Sequence, residues 1–534
     1  MVLGIYLAVV FGFGLYMARK EDSTEDFFLA GRRLPWYAIA LSLFATNISS
    51  GSLIGLSGDA YRVGLAVGTL EWGAILGLLL LAFVFLPYYQ KRAVYTMPEF
   101  MEHRYNLTVR ILFAGIVLLF EILVNIPFVL YAGGLALKVT FGVPEEWAIV
   151  LIGVFVGVYT TIGGLGAVVW TDVIQGVLMI IGGTVLTLFG LHAIGGIEGL
   201  TTHAADKLHV CLPGDHPDYP FPATMIGGYF LVTIYYWCQN QTMVQRTLGA
   251  RSEWDARMGA MAACFIKLIL PFIIVLPGVI AFVLFPELDS SDKALPVLIK
   301  SVIPAGLSGL LVATVIASLM SSADSALNSW ATIFTHDFYH RLINRKASPK
   351  RLILIGRLAI VFVLIVTVVR TTLLGNPESI LQFLLNGLGY ISCPIIVIFM
   401  VGIFWSRATS TAAIVTLVTS PVVCYTTQHM KETFGWGFSQ TSIVYWLPVA
   451  VGIAVLIMII VSLATRPKPR EALQNLIWSR QDTMTMGLHL FTRPGDDPSP
   501  SPPHSKEKWS LWADYRIIGV TALILMIVII WLLR

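Results

Sequence analysis

The sequence is dominated by apolar runs of about 20 residues, the length an α-helix needs to cross the hydrocarbon core of a bilayer. Fourteen such runs are read, at 2–18, 36–58, 65–89, 109–138, 145–163, 166–194, 222–246, 259–285, 303–336, 352–373, 377–404, 409–429, 441–464 and 511–533. Each run is continuously apolar rather than alternating, which predicts helices and not barrel strands. Charged residues make up only 12% of the chain and the mean hydropathy is +0.78, against about 25% charge for a soluble domain. So few charges exclude a soluble globular protein, a disordered chain and a nucleic-acid-binding protein. Four of the five cysteines lie in apolar runs, so no disulfide framework is implied. The predicted fold class is an all-α polytopic membrane protein with about 14 transmembrane helices.

The basic residues give the topology. The first run is followed, not preceded, by its positive charges Arg19 and Lys20, so it reads as a retained helix with its N-terminus outside and not as a secretory signal. Alternating from there, 26 of the 35 Lys and Arg residues fall in inner loops, eight at outer ends and one, Lys267, within a span. Arg246, Arg251 and Arg257 are counted among the inner-loop charges. This distribution predicts fourteen helices with both termini outside. The stretch 466–510 is the only long polar segment and reads as a cytoplasmic linker, turn-rich over 493–503.

Charges inside lipid-spanning runs mark function by default. Here they are Glu71, Glu121, Asp172, Lys267 and Asp324. Lys267 lies about eight residues into its run, where it either snorkels to the inner surface or pairs with Glu71 or Glu121. The second run holds the polar stretch Thr46-Asn47-Ile48-Ser49-Ser50-Gly51-Ser52. Such residues favour local alternatives to the helix, and an unwound segment at mid-membrane frees carbonyls that suit a small hard cation; close packing of small residues is the competing reading. In the ninth run Ser318, Ser321, Ser322 and Ser325 recur at i, i+3, i+4 and i+7, one helix face, with Asp324 beside them. A hydroxyl stripe serves either as packing glue or as neutral oxygens for a cation, and Asp324 favours the cation. Tyr235-Tyr236-Trp237, near Thr233, Gln239, Asn240 and Gln241, combines aromatic faces with amides that suit a polyhydroxy ligand; an interfacial aromatic belt is the alternative.

Together these clusters resemble the solute:sodium symporter family, and within it the bacterial sodium/galactose and animal sodium/glucose cotransporters. The resemblance runs from about Ser23 to the end, through STEDFFLAGRRLPW (23–36), LFATNISSGSLIGLSG (43–58), LEWGA (70–74), YTMPEF (95–100), GGLGAVVWTDVIQG (163–176), YYWCQNQTMVQRTL (235–248), LPGVIAFV (276–283) and IASLMSSADSALNSWATIFTHDFY (316–339). The resemblance implies a LeuT-like fold: a leading helix (1–20), five helices (36–194) repeated upside down by five more (222–404), two accessory helices (409–464), the linker 466–510 and a last helix (511–534). The first helix of each repeat is broken.

Carried over by motif, the resemblance implies a sodium site at the carbonyls of Ala45 and Ile48 with the hydroxyls of Ser318, Ser321 and Ser322. It implies a second cation set at Asp172, Asp324 and Ser325. The solute pocket maps onto Asn47, Ser52, Glu71, Thr233, Tyr236, Trp237 and Lys267, with Asn386 as a further candidate. Three positions depart from the sugar-binding pattern. Ser52 stands where relatives have Gln or His, Leu70 replaces an aromatic, and Leu385, next to Asn386, falls where a Gln is expected. The implied activity is sodium-coupled import of a small polar solute, a sugar or polyol first, by alternating access. The alternative is sodium- or proton-coupled symport of a carboxylate, an amino acid or a sialic acid. The expected setting is the plasma membrane, a bacterial inner membrane, with lipid and solute as partners and neither nucleic acid nor an obligatory protein partner. An enzyme is not expected, because the ten histidines are scattered over loops and ends rather than gathered with a nucleophile or metal set. A transporter-like sensor is less favoured, since no signalling domain is read before Arg534.

Overall fold

In a computed structural model the chain is described over residues 23–92, 94–373, 380–430, 442–473 and 514–534, with isolated positions 4, 6, 8–10, 12, 13, 476 and 477. The described residues are helical apart from loops and a single bridge between Leu34 and Ala250. Among them, ten helices are long and apolar enough to cross a membrane, and a bent pair makes an eleventh span.

The first repeat opens with that pair. Helix α1 (Trp36–Asn47) and helix α2 (Ser50–Arg62) meet at 61°. Then follow α3 (Thr69–Leu80, within the span Leu65–Gln90), α4 (the span Leu107–Val139) and α5 (Glu145–Ala193). α5 holds two predicted runs as two helices joined directly at Gly164, whose φ of 52° and ψ of −170° break the helix and are adopted without strain only by glycine, so it counts as the fourth and fifth helices of the repeat. The second repeat opens with another broken helix, α6 (Gly228–Cys238) and α7 (Gln241–Leu248), each half too short to span alone. It continues with α8 (the span Glu253–Leu284), α9 (the span Leu307–Ile343), α10 (Pro349–Thr372) and α11 (Ile380–Phe404). Two accessory helices, α12 (Ser410–Gln428) and α13 (Ile443–Ala464), and the last helix α14 (Tyr515–Leu532) complete the set. Five helices followed by five, each group led by a broken one, is the predicted order. Much of the run 2–18 and most of the linker 466–510 lie outside the described residues.

Enclosure separates centre from rim. α9, which carries the serine stripe, has 89% of its apolar window buried, against 28% for α13 and α14. The rim helices turn large apolar side chains outward, among them Leu456, Ile460 and Ile524. In water such a surface would be unfavourable, whereas lipid is its natural solvent. At one end of the bundle Arg110 donates to Asp337 at 2.6 Å and ties the start of α4 to the end of α9. Elsewhere Tyr219 donates to Asp59 at 2.5 Å, fastening the loop before α6 over the end of α2.

Candidate functional site

The first break follows from the residues at it. α1 ends at Asn47, Ile48 leaves the helix at φ −90° and ψ 81°, and Ser49 caps α2 by accepting from the Ser52 amide at 2.9 Å. The last carbonyls of α1 therefore lack the amides that would satisfy them in a continuous helix. α9 supplies the substitutes. Ser321 donates to the Ala45 carbonyl at 2.8 Å and Ser322 to the Thr46 carbonyl at 3.0 Å. Ser318 is fully buried on the same face and donates within its own helix, to Val315. Ile48 is fully buried beside them. All five residues of the predicted sodium set thus come from the break and from the stripe that packs against it. Carbonyls and hydroxyls without a fixed charge are the donors a small hard cation takes.

The second predicted set is arranged differently from the expectation. Asp172 on α5 is fully buried and accepts from Ser42 at 2.6 Å and from Thr46 at 3.3 Å. Its charge is met by Arg246 at 3.2 Å. Arg246 belongs to α7, is 1% exposed, and also donates to Ser42 at 2.7 Å and to Thr46, Ser325 and the Thr242 carbonyl. Its assignment to an inner loop is therefore corrected: the break before α7 turns the guanidinium inward, against a buried carboxylate. Asp324 is also buried and accepts from Ser325 at 3.1 Å. A cation entering this set would have to displace Arg246 from Asp172.

Beside the first break a cleft opens between the two repeats. Asn47, Ser52, Glu71, Thr233, Tyr236, Trp237 and Lys267 all line it. Lys267 is 1% exposed, so it does not snorkel. It donates to Glu71 and to the Asn47 side chain, and its ammonium lies 5.2 Å from the centroid of the Trp237 ring. The two charged residues come from the second helix of each repeat, α3 and α8. Gly77 lets α6 approach α3, since a Cβ there would fall 2.8 Å from the Trp237 ring. Glu121 takes no part in this pair. It sits in a π-turn of α4 (Glu121–Asn125) and accepts from Asn125 at 2.7 Å. Asn386 does not reach the cleft either. The face of α11 that lines it is Leu381, Leu384, Leu385 and Leu388, and the helical period turns Asn386 away. A second, smaller chamber of about 370 Å³ shares Asn47, Ser52 and Tyr236 with the cleft and reaches Ser322. It joins the predicted solute set to the predicted sodium set. Among the described residues no group of three or more His, Cys, Asp or Glu side chains is gathered as a metal site.

Residues 27–419 match the family described as the sodium:solute symporter family. The chain belongs to that family. It is 38% identical over 451 residues to a sodium/glucose cotransporter of Vibrio parahaemolyticus, covering 79% of this chain and 83% of that protein. It is 35% identical over 474 residues to an uncharacterised symporter of Escherichia coli K12, covering 85% and 81%. A human sodium/myo-inositol cotransporter is 32% identical over 452 residues, covering 77% of this chain and 67% of its own length. Among solved structures, a sodium-coupled sialic acid symporter in a substrate-bound outward-open state superposes with a TM-score of 0.78 at 26% identity, covering 87% of this chain and 98% of that one. A nucleobase-cation-symport-1 transporter, Mhp1, shares the fold at a TM-score of 0.56 and 15% identity. The LeuT-like expectation thus holds. Family membership makes the chain a multi-pass symporter, and its relatives are transporters rather than enzymes.

The residue that sequence reasoning missed is Arg246. Its signal was present: it closes the apolar run 222–246, a few residues after the aromatic and amide cluster.

Proposed function

We propose that the protein is a sodium-coupled secondary active symporter that imports a neutral sugar or polyol by alternating access, working in a plasma membrane, a bacterial inner membrane, with both termini outside. The observation that carries this reading is that one break serves two sites. Ala45 and Thr46 turn their carbonyls to the serine stripe, while Asn47 and Ser52, on the same few residues, face the cleft. Sodium would take the carbonyls of Ala45 and Ile48 and the hydroxyls of Ser318, Ser321 and Ser322. Binding there fixes α1 against α9 and thereby sets Asn47 and Ser52 for the solute. Each ligand then favours the conformation the other needs, which is the thermodynamic content of coupling. Roughly 2.3 kcal/mol per charge per ~100 mV, with ~1.4 kcal/mol from a tenfold gradient, concentrates a neutral solute several hundredfold.

A neutral cargo is supported by the charge balance of the cleft. Its one lysine is already paired with its one glutamate. A carboxylate, amino acid or sialic acid needs a free cation, and separating a buried pair is costly. The arrangement at Asp172 supports one sodium per solute, because Arg246 already supplies the positive charge there. Uptake of labelled sugars, polyols, amino acids and organic acids into proteoliposomes under an inward sodium gradient tests the reading. Sodium-driven accumulation of a neutral polyhydroxy solute is expected. Uptake confined to anions, or equal uptake under a proton gradient without sodium, overturns it.

A further inference from the structure

The charged groups of the cleft gather in one corner, while Ser52, Thr233 and the Tyr229 phenol line it elsewhere. In that corner Lys267 donates to Glu71 and Asn47 and faces the Trp237 ring. The other wall is unlike it. Leu381, Leu384, Leu385 and Leu388 recur at i, i+3, i+4 and i+7 and present one continuous aliphatic face of α11 to the cleft. α11 packs on α2 and α6 and has no extended interface with α3 or α8, the helices that supply Glu71 and Lys267. The two walls therefore stand apart across the cleft. The α11 wall also lacks a polar side chain that reaches in: Gln382 is turned to Asp59, at 3.4 Å, and Asn386 is off the lining.

A sugar ring held at the polar corner would turn its far edge to four leucines. A hydroxyl on that edge would leave water without a replacement partner, which is unfavourable. A methyl group there would bury apolar surface instead. We infer that the cargo is a 6-deoxyhexose, a neutral hexose carrying a methyl group where the parent carries a hydroxymethyl, with that edge against the leucine face of α11. The inference rests on the neutral-sugar reading above and narrows it.

The test uses the purified full chain in proteoliposomes under an inward sodium gradient. Matched pairs are compared: galactose with 6-deoxygalactose, glucose with 6-deoxyglucose and mannose with 6-deoxymannose, each as both enantiomers. In at least one pair the deoxy member should show a KM roughly ten- to a hundredfold below its parent, the discrimination an apolar pocket can supply. Leu385→Gln, which adds an amide to the wall, should narrow that ratio by about tenfold. If every transported pair shows the parent equal or preferred, the deoxy inference is overturned while the neutral-sugar reading stands. If no pair shows sodium-driven uptake, the deoxy inference is overturned, and the neutral-solute reading is overturned with it only where the wider panel of sugars and polyols also gives no sodium-driven uptake. Should Leu385→Gln fail to insert, the ratio in the unaltered protein decides the matter alone.

Discussion

The two broken helices are related by the repeat, yet their breaks are satisfied in different ways. At the first, the free carbonyls of Ala45 and Thr46 are met by serine hydroxyls of α9. At the second, the Cys238 carbonyl accepts from the Tyr89 phenol at 2.7 Å, and the amides of Gln239 and Asn240 both return to the Tyr235 carbonyl at 2.9 Å. Asn240 then caps α7 by accepting from the Thr242 amide at 2.8 Å. A serine hydroxyl can rotate its proton away and offer a lone pair to an ion in the same place. The Tyr89 phenol is part of a buried scaffold and closes its carbonyl off. The first break is thus built to exchange partners, and the second to hold side chains in position: Tyr236 and Trp237 before it, Arg246 after it. On the proposed reading, the same topological device serves as an ion seat in one repeat and as a bracket in the other.

Substitutions that separate seat from bracket put this contrast at risk. The largest effect is expected at Arg246. Arg246→Gln leaves Asp172 charged and unpaired in the interior, which costs about 3–5 kcal/mol. Detergent-solubilised protein should melt far earlier or express poorly, and Asp172→Asn on top should restore part of the loss. A double variant no better than Arg246→Gln alone would mean that the two residues are not an energetic pair. Lys267→Ala comes next. It strips the partner from Glu71 and Asn47 and should lower uptake by about a hundredfold or more at unchanged sodium activation, on the scale of about 3 kcal/mol for breaking a buried pair. Normal uptake by this variant would remove the cleft from the transport path.

Ser322→Ala tests the first break. It should raise the sodium concentration for half-maximal uptake by about tenfold, the weight of one hydrogen-bonding group on an ion at ~1.5 kcal/mol. Solute affinity at saturating sodium should stay within about threefold. An unchanged sodium curve would make the stripe packing glue. The smallest effect belongs to the second break. Tyr89→Phe removes one hydrogen bond and should cost about 1 kcal/mol of stability, with the sodium curve unmoved. A shifted sodium curve there would erase the distinction between the two breaks.

Much of this site is legible in the residues alone. The polar stretch of the second run and the serine stripe of the ninth declare themselves because lipid does not tolerate such groups without a reason, and the helical period puts the four serines on one face. The aromatic pair Tyr236 and Trp237 is legible for a similar reason. Partners are harder. Lys267 has two candidate carboxylates, and Arg246 looks like one more basic loop residue. Asn386 is a near miss: one step along a helix is about 100°, so the residue beside Leu385 faces elsewhere.

The sequence by itself determined which segments form long apolar helices, which residues lipid would reject and which faces those residues share. These properties are set by local length, period and transfer energy. Only the tertiary structure decided that Lys267 meets Glu71 rather than Glu121 across a separation of 196 residues, that Arg246 turns in to Asp172, and that the wall opposite the polar corner is leucine. The energy of burying a charge is a property of the residue, but the identity of its partner depends on which helix faces the packing brings together.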